Sequence, residues 1–393
     1  ILILLNLGSI AQPKPKHNAT HYFELGENAL DRKEYVTAQA HFTECLRLDP
    51  SFADAYRLRA ITREHLKDVS RALTDYNIYV SLKPDDPEVL FNRAVLRFES
   101  DQILPARQDF LQLLKMPRQE TNMVYFSQEK YSDAGGKVFT YGHGGKENIY
   151  NYLGLIETKT KRYDKAIMWF DSALRFAPGN PSYLINRGIT RLESKDIAGA
   201  RADFAEALKQ DPDNALAIHN LAVLKSFEGQ TESEKLLTDA IEKNKNLPYP
   251  RAERAFYRMH NNDLAGALQD YNELVRMEPT VAEGYLNRGF VKERLKDLEG
   301  ALQDFSKAIS LDEKNPKAWL GRGNVMSKVG KWKEAVEDYT VAIGIDPDYN
   351  LAYYNRAMAL SNSKKMEDAC RDLKAAEKRG MTISPQVKVK ICR

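Results

Sequence analysis

Net charge is one of the things this sequence has little of. Its 393 residues carry 58 basic and 55 acidic side chains, which gives a formal net charge of +3. A dedicated nucleic-acid-binding protein needs a clear basic excess, because it must neutralise a row of phosphates. The near-balance therefore argues against nucleic acid as a partner. Hydrophobic residues make up 43% and charged residues 29%, which is typical of a soluble protein.

Patterns that perform catalysis or hold a metal are also lacking. The seven histidines are His17, His21, His41, His65, His143, His219 and His260. None is spaced from a cysteine or another histidine as metal ligands on one helix face are, and the pair His17 and His21 lies in the entry segment of the first repeat. No Gly-x-Ser-x-Gly motif occurs, and the glycine-rich run ending at Lys146 continues with Glu147 where a phosphate-binding loop needs Ser or Thr. We predict no enzymatic activity, no catalytic residue, no metal and no cofactor.

Long apolar runs are lacking except at the start, where Ile1–Leu7 is followed by the small residues Ser9 and Ala11. Small residues in this place fit a signal-peptidase site. With no initiator Met and no basic segment before the run, we interpret 1–11 as the remnant of a truncated signal peptide and 12–18 as a linker. The alternative is the tail of a membrane anchor. No other run is long enough to span a membrane, so we predict an exported mature chain, periplasmic or secreted, without membrane insertion.

Cysteine is scarce, with only Cys45, Cys370 and Cys392. An exported protein can oxidise its thiols. Cys370 and Cys392 stand close together near the end of the sequence, which predicts a disulfide that fixes the end of the chain; the alternative is two unrelated thiols. Cys45 is interpreted as a small, buried and unreactive residue.

What the sequence does have is a repeat of about 34 residues. The segment from Lys317 to Pro347 shows the pattern most clearly. Its spaced residues are Trp319, Arg322, Gly323, Gly330, Trp332, Ala335, Tyr339, Ala342 and Pro347. They resemble the tetratricopeptide repeat (TPR), a helix–turn–helix unit in which large and small residues alternate at fixed positions. Met326 stands at position 11, where the family usually has Tyr.

The same frame fits most of the chain. Repeats begin near Asn18–Thr20, Ala53, Pro87, Glu147, Pro181, Ala215, Pro248, Ala282, Pro316 and Asn350. The resemblance implies an all-α, right-handed superhelical solenoid of about ten repeats, with repeats 1–3 in 19–120, repeats 4–10 in 147–379 and a C-terminal cap in 380–393. A single hairpin cannot bury its apolar stripe, so stability comes from stacking. Together with the export signal, this predicts a TPR protein of the exported bacterial type.

An insertion, 121–146, interrupts the frame between the third and fourth repeats. Two runs with high β-propensity, 122–127 and 137–141, flank a turn-rich stretch, which predicts a β-hairpin. One hypothesis is that it folds against the concave face and shapes a groove there. The alternative is a surface excursion that packs on the third repeat.

Two positions of the repeat vary together. Position 7 is arginine in seven repeats: Arg59, Arg93, Arg187, Arg254, Arg288, Arg322 and Arg356. Position 23 is aspartate in the same seven: Asp75, Asp109, Asp203, Asp270, Asp304, Asp338 and Asp372. Residues that appear and vanish together are most simply in contact, so we predict structural ion pairs between the two helices of each repeat. This leaves little room for the other interpretation, an anion-binding row of arginines.

Candidate ligand contacts follow from the resemblance, because first helices of TPR units line a concave groove. Position 6 is asparagine five times: Asn92, Asn186, Asn220, Asn287 and Asn355. This resembles the asparagine ladder with which some TPR proteins hold an extended peptide; the alternative is ordinary helix-surface asparagines. Apolar candidates for the same groove are Ile185, Phe256, Phe290 and Tyr354.

These features predict a protein–protein interaction scaffold whose concave groove binds an extended peptide or a segment of a partner protein. Two alternatives remain open. The chain could be a structural subunit of an envelope or secretion complex that binds a folded partner through its convex face or edges. It could also be the regulatory subunit of an enzyme complex.

Overall fold

A computed structural model describes residues 18–116, 145–227 and 232–392. These residues form 21 α-helices and contain no β-strand. The all-α class predicted from the sequence is confirmed.

Several predicted segments lie outside the described residues. They are the signal-peptide remnant 1–11, the linker up to residue 17, and the insertion from 121 to 144 with its proposed hairpin. The last predicted residue of the insertion, Lys146, is already the first residue of a helix.

The chain divides into two compact units, Ile1–Gln210 and Asp211–Arg393. The helices of the first unit are α1 (Ala19–Asp31), α2 (Tyr35–Leu48), α3 (Ala53–His65), α4 (Val69–Leu82), α5 (Pro87–Glu99), α6 (Ile103–Lys115), α7 (Lys146–Lys159), α8 (Tyr163–Phe176), α9 (Pro181–Glu193) and α10 (Ile197–Gln210). Those of the second unit are α11 (Ala215–Phe227), α12 (Ser233–Lys243), α13 (Pro248–His260), α14 (Leu264–Met277), α15 (Ala282–Arg294), α16 (Leu298–Leu311), α17 (Pro316–Lys328), α18 (Trp332–Ile345), α19 (Asn350–Asn362), α20 (Met366–Lys378) and α21 (Pro385–Ile391). Each unit thus holds five helical hairpins, and the second adds one short helix.

The turn inside the hairpins recurs along the chain. In the second repeat Lys67 adopts a left-handed φ of 62°, and the next N–H, that of Asp68, donates to the carbonyl of Arg63 at 2.8 Å. This closure satisfies carbonyl groups at the end of the first helix. The Asp68 side chain then accepts a hydrogen bond from the N–H of Arg71 and caps the second helix.

Close helix contact within a hairpin depends on a small residue in the first helix. A Cβ atom on Gly188 would lie 2.5 Å from Cε1 of Phe204, a ring that is fully buried. Gly323 stands in the same relation to Tyr339, at 2.7 Å. Glycine or alanine at this position therefore lets an aromatic ring of the second helix fill the interior of the repeat.

The two helices of a hairpin occupy different sides of each unit. First helices of neighbouring repeats contact one another directly, as α1 does α3, α7 does α9, and α15 does α17. Among the helices that the structure describes, no two second helices approach as closely. The first helices therefore lie on the inner side of the curvature of their unit. We call the surface of the first helices the inner face and that of the second helices the outer face.

The end of the second unit is covered by α21. Ile383 and Ile391 are buried against Leu360 and Leu373 of the last repeat. Cys370 in α20 and Cys392 after α21 form a disulfide, with their Cα atoms 4.9 Å apart. The short helix thus covers an apolar surface of the tenth repeat.

No helix in the described ranges is both long enough and apolar enough to cross a membrane.

Candidate functional site

The seven arginines of position 7 each meet the aspartate of position 23 in two-pronged geometry. Nε–H donates to one carboxylate oxygen at 2.7–3.0 Å and Nη2–H to the other at 2.6–2.8 Å. The aspartates are only 1–6% exposed. Each pair joins the first helix of a repeat to the second helix of the same repeat. The structure therefore places these residues where the sequence predicted them.

A third hydrogen bond of the same arginines was not predicted. Nη1 of Arg187 donates to Asp171 in the preceding repeat at 2.5 Å, and Nη1 of Arg288 donates to Asn272 at 3.0 Å. Arg59, Arg93, Arg254 and Arg356 do the same with Thr43, Asn77, Thr238 and Thr340. The arginine thus also fixes one repeat against the next. The sequence signal was a polar residue 16 positions before each of these arginines.

The sequence analysis also did not predict that a second cation binds the aspartate of position 23 in several repeats. One turn after the arginine, Arg63 donates to Asp75 at 2.6 Å and Lys292 donates to Asp304 at 2.8 Å. Arg97, Arg191 and Arg258 do the same in their own repeats. The ninth and tenth repeats carry Met326 and Leu360 at this position. These cations are occupied by structural partners, so the row of arginines is not a free anion-binding surface.

The five asparagines of position 6 do not share one environment. Asn186 is 3% exposed, and its Nδ2 donates to Oδ1 of buried Asn151 at 3.0 Å. Asn220 is 9% exposed and donates to the carbonyl of Leu216 in its own helix at 2.8 Å. The prediction that Asn186 and Asn220 contact a ligand in the groove is wrong, because both carboxamides are buried and form hydrogen bonds within the protein.

The other three asparagines are half-buried. Asn355 donates from Nδ2 to Oδ1 of Asn324 at 2.8 Å, which links the last two repeats. The side chains of Asn92 and Asn287 have no hydrogen-bond partner among the residues that the structure describes. Only these two could offer a whole carboxamide to a ligand.

The apolar candidates divide in the same way. Ile185 is 1% exposed and belongs to the interior of its unit, so its assignment to the groove is corrected. Phe290 and Tyr354 are half-buried, and the Phe290 ring packs edge-on against Phe305 with centroids 5.1 Å apart. Phe256 differs, since 52% of its surface reaches solvent. Its ring contacts the exposed His260 ring, with centroids 4.0 Å apart.

Within the described part of the chain, no group of three or more His, Cys, Asp or Glu residues is arranged to hold a metal ion.

Comparison with known proteins identifies the repeat. A TPR repeat model matches residues 294–330, and a tetratricopeptide repeat model matches 23–87 and 147–181. The chain is a tetratricopeptide-repeat protein. The matched segments lie in both units of this TPR protein. The TPR family predicted from the sequence is confirmed, and the exported bacterial type stays a prediction.

Two curated relatives resemble the TPR protein over part of their length. The human protein O-mannosyl-transferase TMTC3 is 28% identical over 217 residues, which are 52% of this chain and 24% of the relative. The DnaJ homolog subfamily C member 7 homolog of Schizosaccharomyces pombe is 27% identical over 299 residues, 73% of this chain and 55% of the relative. The chain therefore spans at most about half the length of these relatives.

One solved structure resembles the TPR protein over nearly its whole length. A chain from the crystal structure of the APC/C hetero-tetramer Cut9–Hcn1 is matched with a TM-score of 0.51 and 12% identity, over 96% of each chain. At this identity the likeness concerns the fold alone, and it agrees with the TPR solenoid.

Proposed function

We propose that this TPR protein is an interaction scaffold, and that the inner face of its second unit binds an extended peptide or a segment of a partner protein. One observation carries the proposal. Phe256 exposes 52% of its surface on the same face as Asn287, whose carboxamide has no hydrogen-bond partner among the described residues. An apolar anchor and an unused polar group thus lie on successive first helices, α13 and α15.

The chemistry of the two groups suits a polypeptide. A carboxamide offers one acceptor and two donors, which match the C=O and N–H groups of an extended backbone of any sequence. An aromatic ring supplies a large contact area with few rotatable bonds, which is why such residues anchor protein interfaces. Together they favour a ligand with a regular backbone and an apolar side chain.

The comparisons support the scaffold in a general way. The curated relatives carry names of different proteins, a mannosyl-transferase and a DnaJ homolog, yet both align with this repeat region. A region shared by proteins of different description is more easily understood as a binding module than as the seat of one reaction. Stacked repeats also provide the extended concave surfaces that solenoid proteins use for binding.

The proposal is tested with a phage-displayed library of random dodecapeptides, selected on the immobilised protein. The affinity of a selected peptide for the wild type is compared with that for Phe256→Ala/Asn287→Ala. We expect the double variant to bind at least about tenfold more weakly, because both contacts are lost. Val341→Ala removes an exposed apolar side chain from the outer face (39% exposed) and is the matched control. Equal affinity of the double variant and the wild type would reject the inner face as the binding site.

A second candidate is favoured by the outer face of the first unit. Met168 in α8 is 65% exposed and Leu104 in α6 is 66% exposed. Exposed apolar side chains of this kind suit the alternative predicted from the sequence, a folded partner bound by the convex face. In an affinity capture, loss of a partner with Met168→Glu but not with Phe256→Ala/Asn287→Ala would favour this second function. The exported location stays a prediction, which fractionation of the source cells would check.

A further inference from the structure

The hydroxyl group of Tyr271 is the starting point. Tyr271 in α14 occupies position 24 of its repeat, as Tyr76 and Tyr339 do in theirs. The hydroxyl of Tyr76 donates to Glu64, and that of Tyr339 donates to Oδ1 of Asn324 at 2.9 Å. Tyr271 is only 2% exposed, and its hydroxyl has no hydrogen-bond partner in the described ranges of the chain. The hydroxyl is not among the enclosed side-chain atoms that lack a partner, so the small exposed part of Tyr271 includes its oxygen, which water or a ligand can reach.

The missing partner follows from two substitutions within the repeat. Tyr76 uses position 12, and Tyr339 uses position 9. In the repeat of Tyr271 these two positions are Met259, whose sulfur is only a weak acceptor, and Phe256, which has no oxygen or nitrogen in its side chain. The equivalent hydroxyls point to residues of the first helix, which in the repeat of Tyr271 is α13, the helix of Phe256.

The charges of three carboxylates act on this hydroxyl. Burial raises the pKa of Tyr271 most, and the negative charges of Glu253 in α13, Glu283 in α15 and Asp270 in α14 raise it further. Asp270 is paired with Arg254 and Arg258. Neither Glu253 nor Glu283 takes part in an ion pair or a side-chain hydrogen bond with any residue that the structure describes. Two carboxylates without an ion-pair partner, on successive first helices, thus act electrostatically on one hydroxyl without a partner.

Glu253 is exposed, and the surrounding protein nevertheless raises the pKa of its carboxyl by restricting its hydration. Exposure together with a raised pKa is expected of a carboxyl on a concave surface, because water reaches it from one side only. Glu253 also stands at position 6, where the neighbouring repeats have the neutral side chains Asn220 and Asn287. The inner face is therefore negative at this repeat in particular.

Nearby cations do not neutralise the two carboxylates. Nη1 of Arg251 donates to the carbonyl of Lys245 at 2.6 Å. The two terminal nitrogens of Arg294 donate to the carbonyl of Met259 at 2.7 Å and to Asn262 at 3.1 Å. Backbone and amide oxygens thus bind these terminal nitrogens, and neither arginine forms an ion pair with Glu253 or Glu283 in the described structure.

We propose that Glu253, Glu283 and the Tyr271 hydroxyl form a subsite for a basic side chain, lysine or arginine, of the polypeptide bound on the inner face. The inference rests on the proposed function and adds the chemical class of the ligand. The carboxylates accept charge-assisted hydrogen bonds from the cation, the hydroxyl oxygen accepts a further one, and the exposed Phe256 ring offers its negative face beside them. A basic segment is thereby preferred over a neutral or acidic one.

The first experiment uses the same random dodecapeptide library on the wild type and on Glu253→Gln/Glu283→Gln. We expect peptides selected on the wild type to be enriched in Lys and Arg, and the enrichment to disappear with the variant. Peptides selected without basic enrichment would overturn the subsite and leave the proposed function intact. No selected peptide at all would overturn both.

The second experiment is titration calorimetry with one selected basic peptide and its counterpart in which Lys and Arg are replaced by Gln. We expect the wild type to bind the basic peptide about tenfold more tightly than its Gln counterpart. We expect Glu253→Gln/Glu283→Gln to bind the two peptides with about equal affinity. Glu299→Gln, an exposed carboxylate of the outer face, is the control and should keep the preference. Free spermidine that binds as tightly as the basic peptide and competes with it would overturn a polypeptide ligand.

A third measurement isolates the hydroxyl. Tyr271→Phe keeps the ring and removes a group without an internal partner, so its melting temperature should not fall, whereas Tyr339→Phe loses hydrogen bonds to Asn324 and Ser327 and should melt lower. Tyr271→Phe should bind the basic peptide about threefold more weakly. Unchanged affinity, or a fall in melting temperature equal to that of Tyr339→Phe, would overturn the role of the hydroxyl.

Discussion

Arg322 and Asp338 form a two-pronged ion pair in which the arginine is the sole cation bound to the aspartate among the residues described. Nε donates to Oδ2 at 2.9 Å and Nη2 to Oδ1 at 2.6 Å. The pair of the preceding repeat is built differently, because Asp304 binds Lys292 at 2.8 Å in addition to Arg288. The two repeats therefore allow the same two-pronged pair to be compared with and without a second cation on the aspartate. Arg288 also donates to Asn272, which adds to the cost of removing it.

Arg322→Met should destabilise the protein by about 3 kcal/mol, because it leaves the buried Asp338 carboxylate without a cation. Arg288→Met should cost clearly less, since Lys292 still neutralises Asp304. Urea unfolding followed by circular dichroism measures both. A double-mutant cycle of Arg322→Met with Asp338→Leu should show strong coupling, and additive free energies in that cycle, or equal losses for the two arginine variants, would contradict the pairing.

Asn186→Ala should lower stability by about 1–3 kcal/mol, because it leaves Oδ1 of buried Asn151 without its hydrogen bond. Asn287→Ala should leave stability unchanged, since that carboxamide has no partner among the described residues. Thermal melting of the two variants checks this. The pair also shows why Asn186→Ala is unsuitable as a test of binding: any loss of affinity would include a loss of structure. Equal melting temperatures would contradict the buried role of Asn186.

The three cysteines should differ in reactivity. Cys370 and Cys392 are joined, and burial, with the charge of Asp49 added, raises the pKa of Cys45 to about 11, so little of it is the reactive thiolate at neutral pH. Native protein should therefore take up no iodoacetamide. After mild reduction two thiols should react, and the third only after denaturation. Two reactive thiols before reduction would exclude the disulfide.

Loss of the disulfide should also weaken the end of the second unit. The bond closes a segment of 22 residues, which is worth about 3 kcal/mol in the chain-entropy account. In Cys370→Ser/Cys392→Ser, hydrogen exchange should become faster at Ile383 and Ile391, which pack the cap against the last repeat. The first repeats, in the other unit, serve as the internal reference. Unchanged exchange in the cap would show that packing alone holds it.

Acid should destabilise the sixth repeat through His219. This side chain is 9% exposed, its Nδ1 has no hydrogen-bond partner, and burial lowers its pKa to about 4. The unfolded chain binds the proton near pH 6.5 and the folded chain only near pH 4. Stability is therefore unaffected above pH 6.5, falls as the pH drops towards 4, and the loss reaches about 3 kcal/mol.

The measurement is the free energy of unfolding between pH 7 and pH 4 for the wild type and His219→Phe, which keeps a ring and removes the titrating group. The acid-dependent loss should shrink in the variant. His260→Gln, at an exposed position of the same unit, should behave like the wild type. Identical pH profiles for the wild type and His219→Phe would contradict the prediction.

The ion pairs could be predicted because arginine and aspartate recur 16 residues apart in the same seven repeats. The separation is short and internal to one repeat, so one sequence contains several independent copies of the relationship. The contacts of Nη1 with the preceding repeat were harder to find, because the partner is Thr, Asn or Asp and no single residue type marks the position.

The asparagines show the limit of the same method. Position 6 is identical in five repeats, but burial depends on the neighbouring repeat. Asn186 faces Asn151, which accepts its hydrogen bond. Asn287 has no such residue opposite it in the described structure. A repeat pattern predicts which way a side chain points along its helix, and not what the adjacent helix places against it.

The sequence by itself determined the helical hairpins, the small residues at their contacts and the pairing of arginine with aspartate, because all of these are set by spacing within about 34 residues. The tertiary structure decided which polar groups stay free for a ligand. Folding brings together the side chains that decide this. Tyr339 has a hydrogen-bond partner and Tyr271 has none among the described residues. Asn186 is likewise bonded to a neighbouring residue, whereas Asn287 is not. The repeat pattern likewise did not predict the division into two units at Gln210. That division depends on how closely neighbouring helices pack, whereas the pattern predicts only where each helix begins.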